Sequence, residues 1–228
     1  MENPSSKQTE EFESTLLADL TDNIAHGICV SNLTYLTAMK MGLDDITCYD
    51  LAIAGLVHDI GKLKLSRYLY GRAHDSFAME NIKYMRMHSK LSYDILQYYD
   101  FSPFILQSVL YHHENYDGSG YPENLKGEDI PFGARVMRVA DTFTALISDR
   151  PYRKAFDIDT AMEILIDEID NYDMEVFIAF QKVIHEPETL KVIEQSRLVI
   201  DLDYDKFMKI LETRTCLLYT SPSPRDTR

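Results

Sequence analysis

Apolar residues recur at helical spacing over residues 16–41, at Leu20, Ile24, Ile28, Val30, Leu33 and Leu36, which predicts a long helix. Gly42 is placed to end it. Residues 50–60 are apolar on nearly all sides and predict a central helix, with Gly61 near its end. Residues 63–75 are mixed and read as irregular. Further helices are predicted over 77–87, over 88–99, and from Ser102-Pro103 to His113, with proline at the first helical position. Residues 114–129 are dense in Gly, Asp, Asn and Pro and carry the longest loop signal in the chain. Pro131 then opens a helix through Leu146, which Arg150-Pro151-Tyr152 breaks. Asp157 and Thr160 signal a cap for a helix to about residue 169. The last helices are predicted over 173–184 and 187–213. No segment alternates at period two and no repeat is visible, so the expected fold class is all-α.

Composition agrees with helices. Of 228 residues, only 9 are glycine and 8 proline, and 45% are apolar, enough for one domain with a full core. The net charge of -14 argues against binding a nucleic-acid polymer. The charge is uneven, however. Between Pro131 and Lys154 stand five basic residues, Arg135, Arg138, Arg150, Arg153 and Lys154, against Asp141 and Asp149. That suits a local anion site within an acidic protein. Three cysteines with no pairing pattern suit a reducing compartment. The polar N-terminus carries no apolar signal segment and the longest apolar run is too short to cross a bilayer, so the expected location is cytoplasmic. Residues 1–13 read as a disordered tail or linker end, and 14–213 as the domain. The string from Cys216 to Asp226 matches one reading frame of a common sequencing adaptor, and residues 214–228 are expected to be a non-native tail, Cys216 included.

The candidate chemistry lies in the histidines and their acidic neighbours. His58-Asp59 closes an apolar segment, with Lys62 one turn later. Asp22 and His26 are four apart and share a helical face. His88 opens a predicted helix, and His112-His113 closes another. Asp141 sits beside Val139 and Ala140, where an uncompensated carboxylate is costly to bury. Taken singly, each has an ordinary explanation, such as a hydrogen-bonded core histidine or a charge placed against a helix dipole. Together, mixed His and Asp donors without thiolate suit iron, manganese, nickel or zinc. A pair of such ions is a common device for attacking a phosphodiester. His74 and His185 lie outside the pattern and read as surface residues.

The strings carrying these residues resemble the HD-GYP group of HD-domain phosphohydrolases. They are Ala54-Gly55-Leu56-Val57-His58-Asp59-Ile60-Gly61-Lys62, His112-His113-Glu114-Asn115-Tyr116-Asp117-Gly118-Ser119-Gly120-Tyr121-Pro122, Ala134-Arg135-Val136-Met137-Arg138-Val139-Ala140-Asp141 and Ser148-Asp149-Arg150-Pro151-Tyr152-Arg153-Lys154-Ala155. The resemblance spans about residues 20–185. It implies a helical bundle with an added Gly-Tyr-Pro loop and C-terminal helices. It implies hydrolysis of cyclic di-GMP to pGpG or GMP by a metal-bridging hydroxide, at a centre of two or three divalent ions, iron or manganese.

By the matching motifs, Asp59 bridges two ions. His58 and Asp141 serve one, with His26 of the N-terminal helix, and with Asp22 where a third ion is held. His88, His112 and His113 serve the other. Lys62 contacts the scissile phosphate or assists protonation, and Arg150 and Arg153 hold the dinucleotide's phosphates with Gly120 and Tyr121 near the substrate. Docking of signalling proteins to the Gly-Tyr-Pro loop and a homodimer also follow from the resemblance. The chain departs from the family where His88-Ser89-Lys90-Leu91-Ser92 replaces the usual His-Pro with a later Gly, and where Asp22 replaces the Glu of three-metal members. Hydrolysis of another cyclic dinucleotide and a catalytically silent docking module are the alternatives.

Overall fold

The computed structural model describes residues 4–65, 84–150 and 153–198, with side chains from residue 20 to residue 196. Eight α-helices follow in order among them: α1 (Pro4–Lys40), α2 (Asp45–Val57), α3 (His88–Leu96), α4 (Pro103–Tyr111), α5 (Phe132–Leu146), α6 (Ile158–Asp167), α7 (Met174–Ile184) and α8 (Pro187–Leu198). Among the described residues there is no strand, only one backbone bridge between Arg150 and Arg153. The fold is all-α, as the periodicity requires. The expectations for His74, most of the 77–87 helix, the end of the last helix and the tail at 214–228 lie outside the described residues.

Local capping explains most boundaries. Ser102 Oγ accepts from the Ile105 N–H at 3.2 Å, with Pro103 as the first helical residue. Asp157 accepts from the Thr160 N–H at 2.8 Å and Asp173 from the Glu175 N–H at 2.9 Å. Two helix starts differ from the sequence reading by five residues or more. Helix α1 begins at Pro4, so the segment expected to be a tail is helical almost throughout. Its Ser, Lys, Gln, Thr and Glu residues carry no apolar period, although several are good helix formers behind an N-terminal proline. Helix α2 runs from residue 45 to 57 rather than 50 to 60. Asp44 caps it by accepting from the Thr47 N–H at 3.1 Å, and the chain leaves the helix at His58 into a turn.

Helix α5 is the axis of the core. Val136, Met137, Val139, Ala140 and Phe143 on it are fully buried. Phe143 meets Phe180 of α7 edge to face, with ring centroids 5.3 Å apart. Helix α1 packs against α2, α5, α7 and α8, and α4 against α2, α3 and α5. Burial of large side chains such as Leu33, Leu51, Phe143 and Phe180 stabilises the bundle by roughly 1.5–3 kcal/mol each. This packing sets α2 and α4 against α5, with α3 held on α4. No described helix is long and apolar enough to cross a membrane.

Candidate metal centre

Five segments deliver the donors: His26 from α1, His58-Asp59 from the turn after α2, His88 at the start of α3, His112-His113 at the end of α4, and Asp141 from α5. The structure brings all seven together. Three groups of donor atoms each lie within 4.8 Å of one another: His26, His58 and Asp59; His88, His112 and His113; and His58, His112 and Asp141. The third shares His58 with the first and His112 with the second, so the donors form one continuous cluster.

The histidines are aimed by a repeated device. Nδ1 of His58, His88 and His112 lies 2.7, 2.5 and 2.7 Å from the carbonyl oxygens of Gly55, Met85 and Val109, three residues earlier in each case. A carbonyl only accepts, so Nδ1 carries the proton, and a neutral ring then presents Nε2 as a lone pair. Those lone pairs face one another. His88 Nε2 lies 3.3 Å from His112 Nε2 and 3.0 Å from His113 Nε2. Burial lowers the pKa of His88, pushes His112 down to about 3, with help from His58 and His88, and holds His113 well below the usual imidazole range. Neutral imidazoles with converging lone pairs repel unless a cation sits among them.

The carboxylates complete the arrangement. Asp59 Oδ2 lies 3.3 Å from His58 Nε2 and 3.9 Å from His26 Nε2, and ion-pairs with Lys62. Asp59 Oδ1 turns the other way, 3.2 Å from His88 Nε2. One carboxylate thus addresses both outer groups, the geometry a bridging ligand needs. Asp141 Oδ1 pairs with His26 Nε2 at 2.9 Å and lies 3.6 Å from His58 Nε2. Burial opposes the charge of both aspartates, yet their histidine and lysine neighbours hold them well below the usual carboxylate range. Burial also opposes charge on His58, but Asp59 and Asp141 push its imidazole up to about 10. The carboxylates therefore draw positive charge to that position. His26 Nδ1, His58 Nε2 and Asp59 Oδ1 are buried and have no hydrogen-bond partner among the described residues. Orphaned buried donor atoms of this kind fit divalent cations.

Other expected site residues fall differently. Asp22, one turn before His26, is exposed and joins none of the donor groups. Tyr121 stacks on His113 with ring centroids 4.7 Å apart and planes at 25°, and the Arg86 guanidinium lies 5.3 Å from the Tyr121 ring centroid. Gly120 serves the backbone more than any ligand: a Cβ there would lie 2.5 Å from Glu114 Cα and from the His113 carbonyl oxygen. Gly120→Ala is therefore expected to destabilise the protein by about 1–3 kcal/mol in urea unfolding, as other overpacked positions do. Arg153 faces away from the role expected of it. Its guanidinium donates to the carbonyls of Leu146 and Ala145 at 2.9 Å and of Lys154 at 2.8 Å. It closes the end of α5, whose last carbonyls need partners. Arg150 bonds to Arg153 through the backbone, at 2.8 and 3.1 Å.

Two residues of the site were not singled out from the sequence. Glu114 is buried, and its two carboxylate oxygens accept from the backbone N–H groups of Glu123 at 2.7 Å and Leu125 at 3.1 Å. It ties the 114–125 loop to the end of α4. Arg138, one turn before Asp141, donates through Nε to Asn115 at 2.8 Å. The signal for Glu114 was its position, a carboxylate directly between two donor histidines and a long loop.

A helical bundle that gathers histidine and aspartate donors from five segments presents the donor set of a divalent-metal site. A family model described as HD domain matches residues 5–176. The chain belongs to the HD domain family. It is 34% identical over 139 residues to the cyclic di-GMP phosphodiesterase response regulator RpfG of Xanthomonas campestris, covering 60% of this chain and 36% of that one. It is 31% identical over 163 residues to the 3'3'-cGAMP-specific phosphodiesterase 3 of Vibrio cholerae, covering 70% and 35%. Among solved structures, an HDG"Y"P protein of Bdellovibrio bacteriovorus shares the fold, with a TM-score of 0.56 at 20% identity, covering 71% of this chain and 52% of that one. The chain spans about a third of the length of these two curated relatives.

Proposed function

We propose that this domain is a metal-dependent phosphodiesterase of cyclic dinucleotides, with cyclic di-GMP as substrate and pGpG or GMP as product. The observation that carries the reading is the convergence of histidine Nε2 atoms on a carboxylate whose two oxygens address separate donor groups. His26, His58, Asp59 and Asp141 would hold one ion and Asp59, His88, His112 and His113 the other. Iron or manganese suits these donors, since no thiolate is among them. The exposure of Asp22 supports two ions rather than three. When bound, such ions supply Lewis-acid polarisation of a phosphoryl oxygen and activation of a water.

The remaining work falls to this chain's own side chains. Lys62, paired with Asp59 and 21% exposed, orients that carboxylate and presents an ammonium to an incoming phosphate. Tyr121 holds the His113 ring by stacking. Arg150 is the arginine we assign to a substrate phosphate, whereas Arg153 positions it through their backbone bridge. Arg150→Ala is accordingly expected to raise KM about tenfold with an unchanged melting temperature. Arg153→Ala is expected to cost about 1–3 kcal/mol of stability, as the part-buried helix-end carbonyls of Ala145 and Leu146 lose their donor. Steady-state kinetics beside thermal unfolding separate the two roles.

The direct test is turnover. Purified protein loaded with Mn(II) or Fe(II) is incubated with cyclic di-GMP, 3'3'-cGAMP and cyclic di-AMP, and the products are separated by chromatography. Cyclic di-GMP should be consumed fastest. Preference for 3'3'-cGAMP would favour the second reading, to which the likeness to the Vibrio cholerae enzyme points. No turnover of any of the three with metal bound would leave the catalytically silent docking module standing.

A further inference from the structure

We infer that Ser92 is a positioning residue, whose hydroxyl sets the His58-Asp59 turn against the helix that carries His88. The inference rests on the two-ion reading above. The turn after α2 is held largely by its own backbone. The Ile60 N–H donates to the Val57 carbonyl at 3.1 Å, Lys62 to Asp59 at 2.9 Å and Leu63 to Ile60 at 3.2 Å. Gly61 breaks the series. Its N–H donates instead to Ser92 Oγ, at 2.9 Å, across 31 residues of sequence. Ser92 is fully buried, one helical turn after His88 on α3.

The two backbones are in close contact at this point. A Cβ on Gly61 would lie 2.6 Å from Ser92 N and 2.8 Å from Ser92 Oγ, and closer still to the His88 carbonyl oxygen. Glycine permits the approach and the serine hydroxyl directs it. On either side stand donors of different groups: Asp59 two residues before Gly61, His88 four before Ser92, and 3.2 Å between Asp59 Oδ1 and His88 Nε2. Without an acceptor at position 92, the buried Gly61 N–H has an incentive to find a carbonyl of its own turn. The turn would then continue the winding of α2, and that rotation would carry Asp59 and Lys62 with it. The hydroxyl therefore sets which way the shared carboxylate faces.

Ser92→Ala removes the acceptor with little change of volume. Metal-stripped wild type, Ser92→Ala and Ser92→Thr are titrated with Mn(II) by calorimetry, and the exchange-coupled Mn(II) pair is followed by electron paramagnetic resonance. Loss of a residue that orients metal ligands costs about 10–100-fold in metal affinity. Ser92→Ala should show a loss of that size and a weaker coupled signal at stoichiometric metal, with unchanged helix content. Ser92→Thr, which keeps the hydroxyl, should recover both. Affinity and spectrum equal to wild type in folded Ser92→Ala would overturn the inference. So would a lower melting temperature of the metal-free variant with unaltered Mn(II) binding, because that is a packing role only. Should Ser92→Ala fail to fold, Ser92→Cys, a weaker acceptor, is compared with Ser92→Thr; equal Mn(II) affinities would overturn the inference and a weaker one for Cys would support it. A wild type that binds no coupled pair would overturn the two-ion reading itself, an outcome distinct from a wild-type pair that Ser92→Ala leaves untouched.

Discussion

Asp59→Ala should abolish turnover, with a fall in kcat of about 10⁴-fold or more, or roughly 5.5 kcal/mol at about 1.4 kcal/mol per decade. The expectation comes from the position of its two oxygens. Oδ2 faces His58 and His26 while Oδ1 faces His88, so one substitution removes a donor from the first outer group and the carboxylate oxygen that faces the second. The neighbouring carboxylate does not replace it, since Asp141 Oδ1 is already engaged with His26. The same change strips Lys62 of its ion-pair partner, so the ammonium loses its anchor next to the phosphate site. Asp59→Asn keeps the shape and one carbonyl oxygen but not the charge, and a residual rate above that of the alanine variant is expected. The fold should survive, because the apolar core lies along α5 and not at this turn. Single-turnover assays with metal-saturated protein measure the effect. A rate within tenfold of wild type would show that Asp59 joins neither group.

Removing the ions is the second large perturbation. Metal-stripped protein should unfold at a temperature about 8–16 °C below that of protein saturated with Mn(II). Binding at a thousandfold excess over Kd stabilises by about 4.1 kcal/mol, and each kcal/mol shifts the midpoint of a domain this size by about 2–4 °C. The physical origin is visible in the cluster. Nε2 of His88 faces Nε2 of both His112 and His113 within 3.3 Å, and Asp59 and Asp141 bring two buried carboxylates to the same place. Without cations the facing imidazole lone pairs repel and His26 Nδ1 and Asp59 Oδ1 lack hydrogen-bond partners among the described residues; with cations they are ligands. Circular dichroism melts before and after chelation, with Mn(II) restored at the end, measure the shift. In Asp59→Ala the metal-dependent part should shrink sharply. A wild-type midpoint that ignores saturating Mn(II), Fe(II) and Zn(II) alike would contradict the assignment of the cluster.

Residue types and their spacing were enough to make the donors legible. His58-Asp59, His112-His113 and Asp141 stand out because ionisable residues interrupt apolar helical segments, and each is costly to bury alone. The helix periods were equally plain where one face is apolar, as along α5 and α7. They were silent for the first turns of α1, whose residues are polar on all sides, and the period alone placed α2 late because it overlooked the Asp44–Thr47 cap. These are local failures with local causes.

The roles of the arginines, of Asp22 and of Ser92 were not legible, since each depends on what a distant segment offers. Arg153 is a long cation near an expected anion site, and only the fold shows the carbonyls of Ala145 and Leu146 absorbing its donors. Asp22 shares a helix face with His26 by spacing, yet it lies exposed while His26 is buried against Asp141. By itself, then, the sequence determined the helical class, the donor set and the loop that closes over it, because periodicity, cap chemistry and the cost of burying charge act within a few residues. Only the tertiary structure decided which histidine rings face one another, how the oxygens of Asp59 divide between two groups, and that Ser92 holds the turn between them. Those depend on carbonyls, hydroxyls and rings brought together from as far as 115 residues apart, and local pattern carries no record of such distances.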